Sequence, residues 1–454
     1  MRAYQSIPAE QVYFRELVSE DGNIKPTRER GVINVYDDVT YQPIRGMGGA
    51  FTESSAYLYS LLTDAQKQDF MEKYFSREKG LGYNFGRTHI NSCDFSLDIY
   101  TYVQDGDKDL STFSLDRDRK YIIPFIKDAQ KYTGEDLVLF SSPWSAPAYM
   151  KENESPIRGG ALKEEYKAVW ARYFVRYIRE MEKEGIRISA VSVQNEPNAR
   201  QPWESCSYTP EQEAEFVEKY LAPALEEAGL SHIGIIIWDH NKERVYDRAK
   251  AVLASPAVAD RVWAVGHHWY SGDHFEGPRL VHEQFGKELI SSEICCIINE
   301  DPISVAEKYG KEICEDFNNF TGWFCDWNLL LSEQGGPFHN RTEKSTAVEG
   351  KIFEDKSKGC YAPVLYNTQT KELEYTPIYY YIGHFSKFIQ RGAVRVATTK
   401  HDYRLHTTAF RNPDGSLVLI VMNPTEETLP AIVRHNGVNT DWQLPPHSIM
   451  TVLL

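Results

Sequence analysis

The chain has 454 residues, 42% of them hydrophobic, which is ample for a large core and too long for one average domain. Its formal net charge of −15 argues against nucleic acid or an anionic membrane surface as a partner. There is no apolar run long enough for stable membrane insertion, and the N-terminus lacks the apolar stretch and small-residue cleavage site of a secretion signal, so the default localisation is cytoplasmic unless a leader has been trimmed.

Seven cysteines form no C-x-x-C pair, and two of them, Cys295 and Cys296, are adjacent; reduced thiols are the simpler reading. The conspicuous excess is aromatic, with 28 Tyr, 21 Phe and 9 Trp. Rings in that number fit a packed core, and they fit equally a cleft that lays them against sugar faces.

Taken in chain order, the first forty-odd residues look strand-like in GVINVY and VTYQPI. YQPIRGMGGAF then reads as a strand running into a glycine turn. LTDAQKQDFMEKYF follows as a helix that Thr63 or Asp64 can cap. GYNFGRTHINSCDFS is a strand entering a polar loop, and residues 116–134 read as one helix ending at Gly134. DLVLFSSPWSAP is a strand. The next helix, over 162–185, carries Tyr166, Val169, Trp170, Tyr173, Phe174 and Tyr177 at spacings of three and four. IRISAVSVQNEP is a strand. The helix after it opens on Thr209, Pro210 and Gln212, the pattern of a capping box. HIGIIIWDHN, RVWAVGHHWYSG, ELISSEICC and TGWFCDWNLLL supply the remaining strands, and a helix runs from about 302 to 319. Eight strands with helices between most of them predict a (β/α)8 barrel over 46–390, with an open doubly wound sheet as the alternative. Past 390 the helical period gives way to short strands, with turn chemistry at Asn412-Pro413-Asp414-Gly415. Residues 391–454 are therefore expected to form a β-sandwich, joined by N-terminal strands within 1–45.

In such a barrel the functional groups sit where strands end. Those ends read Asp94, Trp144, Asn195-Glu196, Asp239-His240, His267 to Tyr270, Glu293 and Asp326 to Asn328. Two glutamates, Glu196 and Glu293, each close an apolar strand. A pair of carboxylates is the minimum for glycoside hydrolysis, one giving a proton to the leaving oxygen and one facing the oxocarbenium-like carbon. A solvated surface charge is the bland reading for either residue taken alone.

QNEP around Glu196 and SSEIC around Glu293 sit at the ends of the fourth and seventh strands. Together with GMGGAFTESSAYL, SCDFSLDIYTY, SSPWSAPAYMK, GHHWY, GWFCDWNLLL and YYIGHFSKFI they resemble glycoside hydrolase family 30, in its glucosylceramidase-type branch. The resemblance runs from Gly46 to Ile389. It implies a barrel with a β-sandwich, a retaining mechanism, Glu196 as acid/base and Glu293 as nucleophile. Asn195 matches the residue on the sugar 2-hydroxyl, and Asp94, Trp144 and Trp327 match those on the 3-, 4- and 6-hydroxyls of a terminal glucose. Tyr270 matches the tyrosine near the nucleophile, with His268 beside it, and Arg87 matches an arginine that orients Glu293. The loop NARQPWESCSY is shorter than in that branch, leaving the leaving-group contact to Trp203, Tyr208 or neither.

Within the same family, endo-β-1,6-glucanase and β-xylosidase are the alternative activities. A carbohydrate-binding barrel without catalysis is the alternative from another class. GMGGAF lacks nucleotide-binding spacing and reads as a tight turn. Neighbouring His267 and His268 point opposite ways and cannot easily share an ion, so no metal or other cofactor is expected. The expected partner is a carbohydrate or glycoconjugate substrate. The charge of Glu293 is expected to raise the pKa of Glu196.

Overall fold

The computed structural model describes residues 1–19, 29–298, 300–339 and 359–454. The gaps at 20–28 and 340–358 fall within the expected N-terminal segment and the expected barrel, and those parts lie outside the described residues. Eight parallel strands close a barrel: Gly46–Ala50, Phe85–Ile90, Val138–Pro143, Ile188–Ser192, Gly234–Asn241, Val262–His268, Glu288–Glu293 and Trp323–Asn328. The eighth returns to the first through the pairing of Trp323 with Gly46, which rules out an open sheet. The strands are apolar almost throughout because both faces are covered. Phe85, Phe140, Ala190, Ile236, Ala264, Ile290, Trp323 and Cys325 fill the interior, so the barrel is packed and ligands must be met at its C-terminal rim.

That filling overturns the glycine-turn reading of GMGGAF. Gly46–Ala50 is itself the first barrel strand, while Tyr41, Gln42 and Pro43 end a separate strand, Val32–Pro43. A Cβ at Gly48 would lie 1.6 Å from the Phe85 carbonyl oxygen, and one at Gly46 would press on the Trp323 ring at 3.1 Å. The bulky neighbours leave no room for a side chain at Gly48 and little at Gly46.

Thr63 and Thr209 each accept from the backbone three residues on, completing capping boxes with Gln66 and Gln212 on the helices Asp64–Phe75 and Pro210–Phe216. The helix Lys167–Lys183 buries Val169, Trp170, Tyr173, Phe174 and Tyr177 as its periodicity requires. The expected helix over 116–134 is two, Asp116–Lys120 and Ile122–Thr133, broken at Tyr121. Pro124 explains the break: it lacks an N–H and is accommodated only in the first turn of a helix. A helix, Glu276–Phe285, also fills the sixth crossover, where no element is expected from the sequence.

The second body is a nine-stranded ladder in the order Val438–Leu444, Leu429–His435, Val32–Pro43, Val394–Lys400, His406–Arg411, Leu417–Asn423, Ser448–Leu453, Arg2–Ile7, Val12–Val18. It folds over a core in which Leu429, Val433 and Trp442 from one end meet Ala3, Leu419, Met450 and Val452 from the other. The other face, with Phe410, Val418, Ile420 and Ile449, joins the barrel core. Val438–Leu444 is a strand not singled out from the sequence; Asn436 and Gly437, both at positive φ, make the two-residue hairpin turn before it. Among the described residues, no helix is long and apolar enough to cross a membrane.

Candidate active site

The fourth strand ends in the apolar core, and the chain must turn at once to bring a polar group to the rim. Glu196 makes that turn at φ +48°, its N–H donating to the Asp239 carbonyl at 3.0 Å. Glu293 is the last residue of the seventh strand. An oxygen of each and a ring nitrogen of His268 all lie within 4.8 Å of one another. The two carboxylates border a cavity of about 360 Å³, which Asp94, Trp144, Asn195, Tyr270 and Trp327 also line.

Arg87, on the second strand and fully buried, lies beneath this cavity. It donates to Glu293 Oε2 at 2.5 Å, Asn195 Oδ1 at 2.8 Å, Asp239 Oδ2 at 2.8 Å and Ser142 Oγ at 3.1 Å. Because the Asn195 carbonyl oxygen faces Arg87, its amide N–H₂ is left for the cavity. The guanidinium also lies 4.6 Å from the centre of the Trp144 ring, which stacks on Trp327 at 5.1 Å. Tyr270 donates its hydroxyl to Glu293 Oε1 at 3.0 Å.

Asp239 anchors this arrangement. It is fully buried, and it accepts from Arg87, from Ser142 at 2.8 Å, Ser192 at 2.7 Å and Ser292 at 2.6 Å, and from His268 Nε2 at 3.2 Å. Burial alone would raise its carboxyl; Arg87, His268 and Ser292 outweigh burial and hold it well below the carboxylate range. His268 spans the buried acids, its Nδ1 facing Glu196 Oε1 at 3.3 Å and Glu293 Oε1 at 3.9 Å. Burial opposes its charge, but Glu293, Asp239 and Glu196 prevail and push it up to about 9, so it is an imidazolium at neutral pH. Its neighbour His267 turns away to Thr321 at 3.0 Å, and burial lowers it to about 4.

This cation reverses the expected effect of Glu293 on Glu196. Burial raises Glu196, but the hydrogen bond from His268 and the neighbouring His240 and His268 rings take it below its ordinary value. Burial pushes Glu293 up, only partly offset by His268 and Arg87. The sequence expectation counted one neighbouring charge and had no means of seeing the imidazolium. Asp94, buried near Glu293 and Glu204, is pushed well up, and its Oδ1 has no hydrogen-bond partner.

Among the described residues, Glu196, His268 and Glu293 are the only three side chains placed to share a metal ion. His268 has both ring nitrogens engaged and carries a proton, and Arg87 adds a second cation. A divalent ion would have to displace that proton beside the guanidinium, so the donor set suits a positively charged substrate centre better than a metal.

The profile of the Glycosyl hydrolase family 30 TIM-barrel domain matches residues 44–389, and that of the family's beta sandwich domain matches 392–452. This chain belongs to glycosyl hydrolase family 30. It is 31% identical over 449 residues to the lysosomal acid glucosylceramidase of Mus musculus, covering 93% of this chain and 83% of the relative. The crystal structure of SrfJ from Salmonella typhimurium superposes with a TM-score of 0.92 at 32% identity, over 100% of this chain and 99% of the other. An endo-β1,6-glucanase superposes at 0.86 with 25% identity, over 100% and 99%.

In this family 30 chain the loop after Glu196 brings Trp203 and Gln201 to the cavity wall. Tyr208 is buried elsewhere, its carbonyl accepting from Arg248 at 2.9 Å. Sequence reasoning gave no role to Asp239, to the three serines that hold it, or to His240, which lies 3.9 Å from Glu196. A signal for them was present: Ser142, Ser192 and Ser292 each interrupt an apolar strand near its C-terminal end.

Proposed function

We propose that the protein is a retaining β-glycoside hydrolase that removes terminal β-D-glucosyl units. The observation that carries the reading is the pair Glu196 and Glu293, facing each other on opposite strands within 4.8 Å, with Arg87 and Tyr270 both donating to Glu293. That separation supports direct attack, because an inverting pair stands about 6.5–9.5 Å apart to admit a water. Glu293 attacks the anomeric carbon, and Glu196 protonates the departing oxygen. Glu196 then takes a proton from the water that releases the sugar. The guanidinium and phenol donating to Glu293 favour the anion there, as a nucleophile requires. Asn195 offers its amide to the 2-hydroxyl, and Asp94, Trp144 and Trp327 border the position of the remaining hydroxyls. The mouse glucosylceramidase and the endo-β1,6-glucanase, by their names, act on a glucosylceramide and on a β-1,6-glucan, which supports glucose as the glycone.

A 2-deoxy-2-fluoro-β-glucoside should trap the sugar on Glu293, located by peptide mass spectrometry. NMR of the first-formed glucose should show the β-anomer. A label on another carboxylate refutes the assignment, and an α-anomer refutes retention. A second depression of about 500 Å³ shares Tyr270, Cys295, Cys296 and Ile297 with the catalytic cavity and leaves room for a longer leaving group. Faster cleavage of the β-1,6-glucan pustulan than of short aryl β-glucosides would favour the endo-glucanase reading. Faster cleavage of β-xylosides would refute glucose as the glycone.

A further inference from the structure

Two of the seven cysteines stand apart from the rest. Cys93, Cys206, Cys296, Cys314 and Cys325 are buried, whereas Cys295 and Cys360 are partly exposed and both line the catalytic cavity. They come from distant parts of the chain and are brought together by backbone pairing. Ile297 and Cys360 form an antiparallel bridge, Tyr361 N–H donates to the Cys296 carbonyl at 2.8 Å, and Ile298 N–H donates to the Gly359 carbonyl at 2.8 Å. The two sulfurs lie 3.7 Å apart. Cys295 Sγ is also 3.4 Å from the Tyr270 hydroxyl, which donates to Glu293. Cysteine often serves merely as a small apolar filler. Two partly exposed thiols facing each other in the wall of the catalytic cavity do not fill that role.

We propose that Cys295 and Cys360 are an oxidisable dithiol, a modification site that closes to a disulfide on reaction with a low-molecular-weight disulfide and lowers the glycosidase activity when closed. The thiolate of Cys360 attacks the small disulfide, forming a mixed disulfide and releasing one thiolate. The thiolate of Cys295 then attacks the Cys360 sulfur and releases the second. Each cysteine gives one proton to solvent and each released thiolate takes one up; the two cysteines are oxidised and the small disulfide is reduced to two thiols. The sulfurs must approach by about 1.6 Å to reach the ~2.05 Å of a disulfide. The bond replaces the free thiol beside the Tyr270 hydroxyl and ties the loop after the seventh strand to the segment at Cys360. The effect on activity rests on the reading of Glu293 as the nucleophile; the cross-link itself does not.

The test uses the full chain, reduced and then equilibrated with oxidised glutathione. The expected result is the loss of two hydrogens by intact mass and a Cys295–Cys360 cross-linked peptide. kcat/KM should fall by roughly tenfold or more, since displacing a positioning group by ~1 Å can cost about 100-fold, and dithiothreitol should restore it. Cys360→Ser and Cys360→Ala should abolish both the cross-link and the oxidant sensitivity, each compared with its own reduced form. Phenylarsine oxide, which bridges paired thiols, should bind the unmodified chain once at this pair and fail to bridge in either variant. Absence of the cross-link together with absence of arsenical bridging overturns the site. A cross-link with undiminished activity overturns the functional consequence. Equal inactivation of the Cys360 variants assigns the sensitivity to another thiol and also overturns the proposal.

Discussion

His268 is expected to make the stability of the fold depend on pH in a way that one substitution removes. Its folded value of about 9 stands above the ordinary 6.5, because Glu293, Asp239 and Glu196 stabilise the imidazolium. At about 1.4 kcal/mol per tenfold change in proton affinity, that difference corresponds to about 3 kcal/mol. A group whose value is raised on folding binds its proton more tightly in the folded chain. Its contribution is therefore fully present below pH 6.5 and is lost as pH rises through about 9. His268→Gln keeps a polar side chain and removes the titration. Urea unfolding of the parent and of this variant, at pH 6 and at about pH 10, should give a stability difference that shrinks by about 3 kcal/mol between the two conditions. A titration of ¹³Cε1-labelled histidine by NMR should find one resonance with a midpoint near 9 that the variant lacks. A stability difference unchanged with pH, or a midpoint at the ordinary value, would refute the view that the buried acids hold His268 charged.

Other perturbations test the remaining parts of the arrangement. Glu196→Ala should cost about 10²–10⁴-fold on poor leaving groups and far less on activated phenols, with azide giving a β-glycosyl azide; equal losses across leaving groups would contradict the acid/base role. Asp94→Ala should lower kcat/KM for β-glucosides by about 2–10-fold, the worth of one hydrogen bond at ~0.5–1.5 kcal/mol, and an unchanged value would remove Asp94 from substrate recognition. Asp239→Ala leaves Arg87 and His268 without their common anion and should cost about 3–5 kcal/mol of unfolding free energy. Gly48→Ala sets a methyl 1.6 Å from the Phe85 carbonyl oxygen and should abolish soluble expression, where an exposed Gly→Ala change would pass unnoticed.

The barrel was legible in the sequence because each strand is an apolar run closed by a polar end, and eight such runs leave few topologies. It was misread where packing overrides local pattern. Glycines in the first strand look like a turn until the Phe85 backbone and the Trp323 ring are seen to occupy the space. Around the cavity, the rim acids and indoles were visible as residues that end strands. Asp239 was visible there too, but nothing local distinguishes an acid that organises a guanidinium, an imidazolium and three hydroxyls from one that meets water. The same limit explains the pKa of Glu196: the charge on His268 depends on three acids from three strands, and no linear spacing encodes their meeting. The pairing of Cys295 with Cys360 was hidden for the same reason.

The nine-stranded ladder has a consequence for how the chain is made. Arg2 pairs with Leu453 and Ser6 with Ile449, so the N-terminal strand lies between Val12–Val18 and Ser448–Leu453. During synthesis it has only its own hairpin partner until Ser448–Leu453 emerges, by which time all eight barrel strands have been available to close. The barrel can thus assemble while the ladder is still incomplete, and one late strand then joins Arg2–Ile7 to Leu417–Asn423. Deleting Ser448–Leu453 would cut the ladder in two and strand the N-terminal hairpin, a far larger loss than six residues at a terminus would suggest.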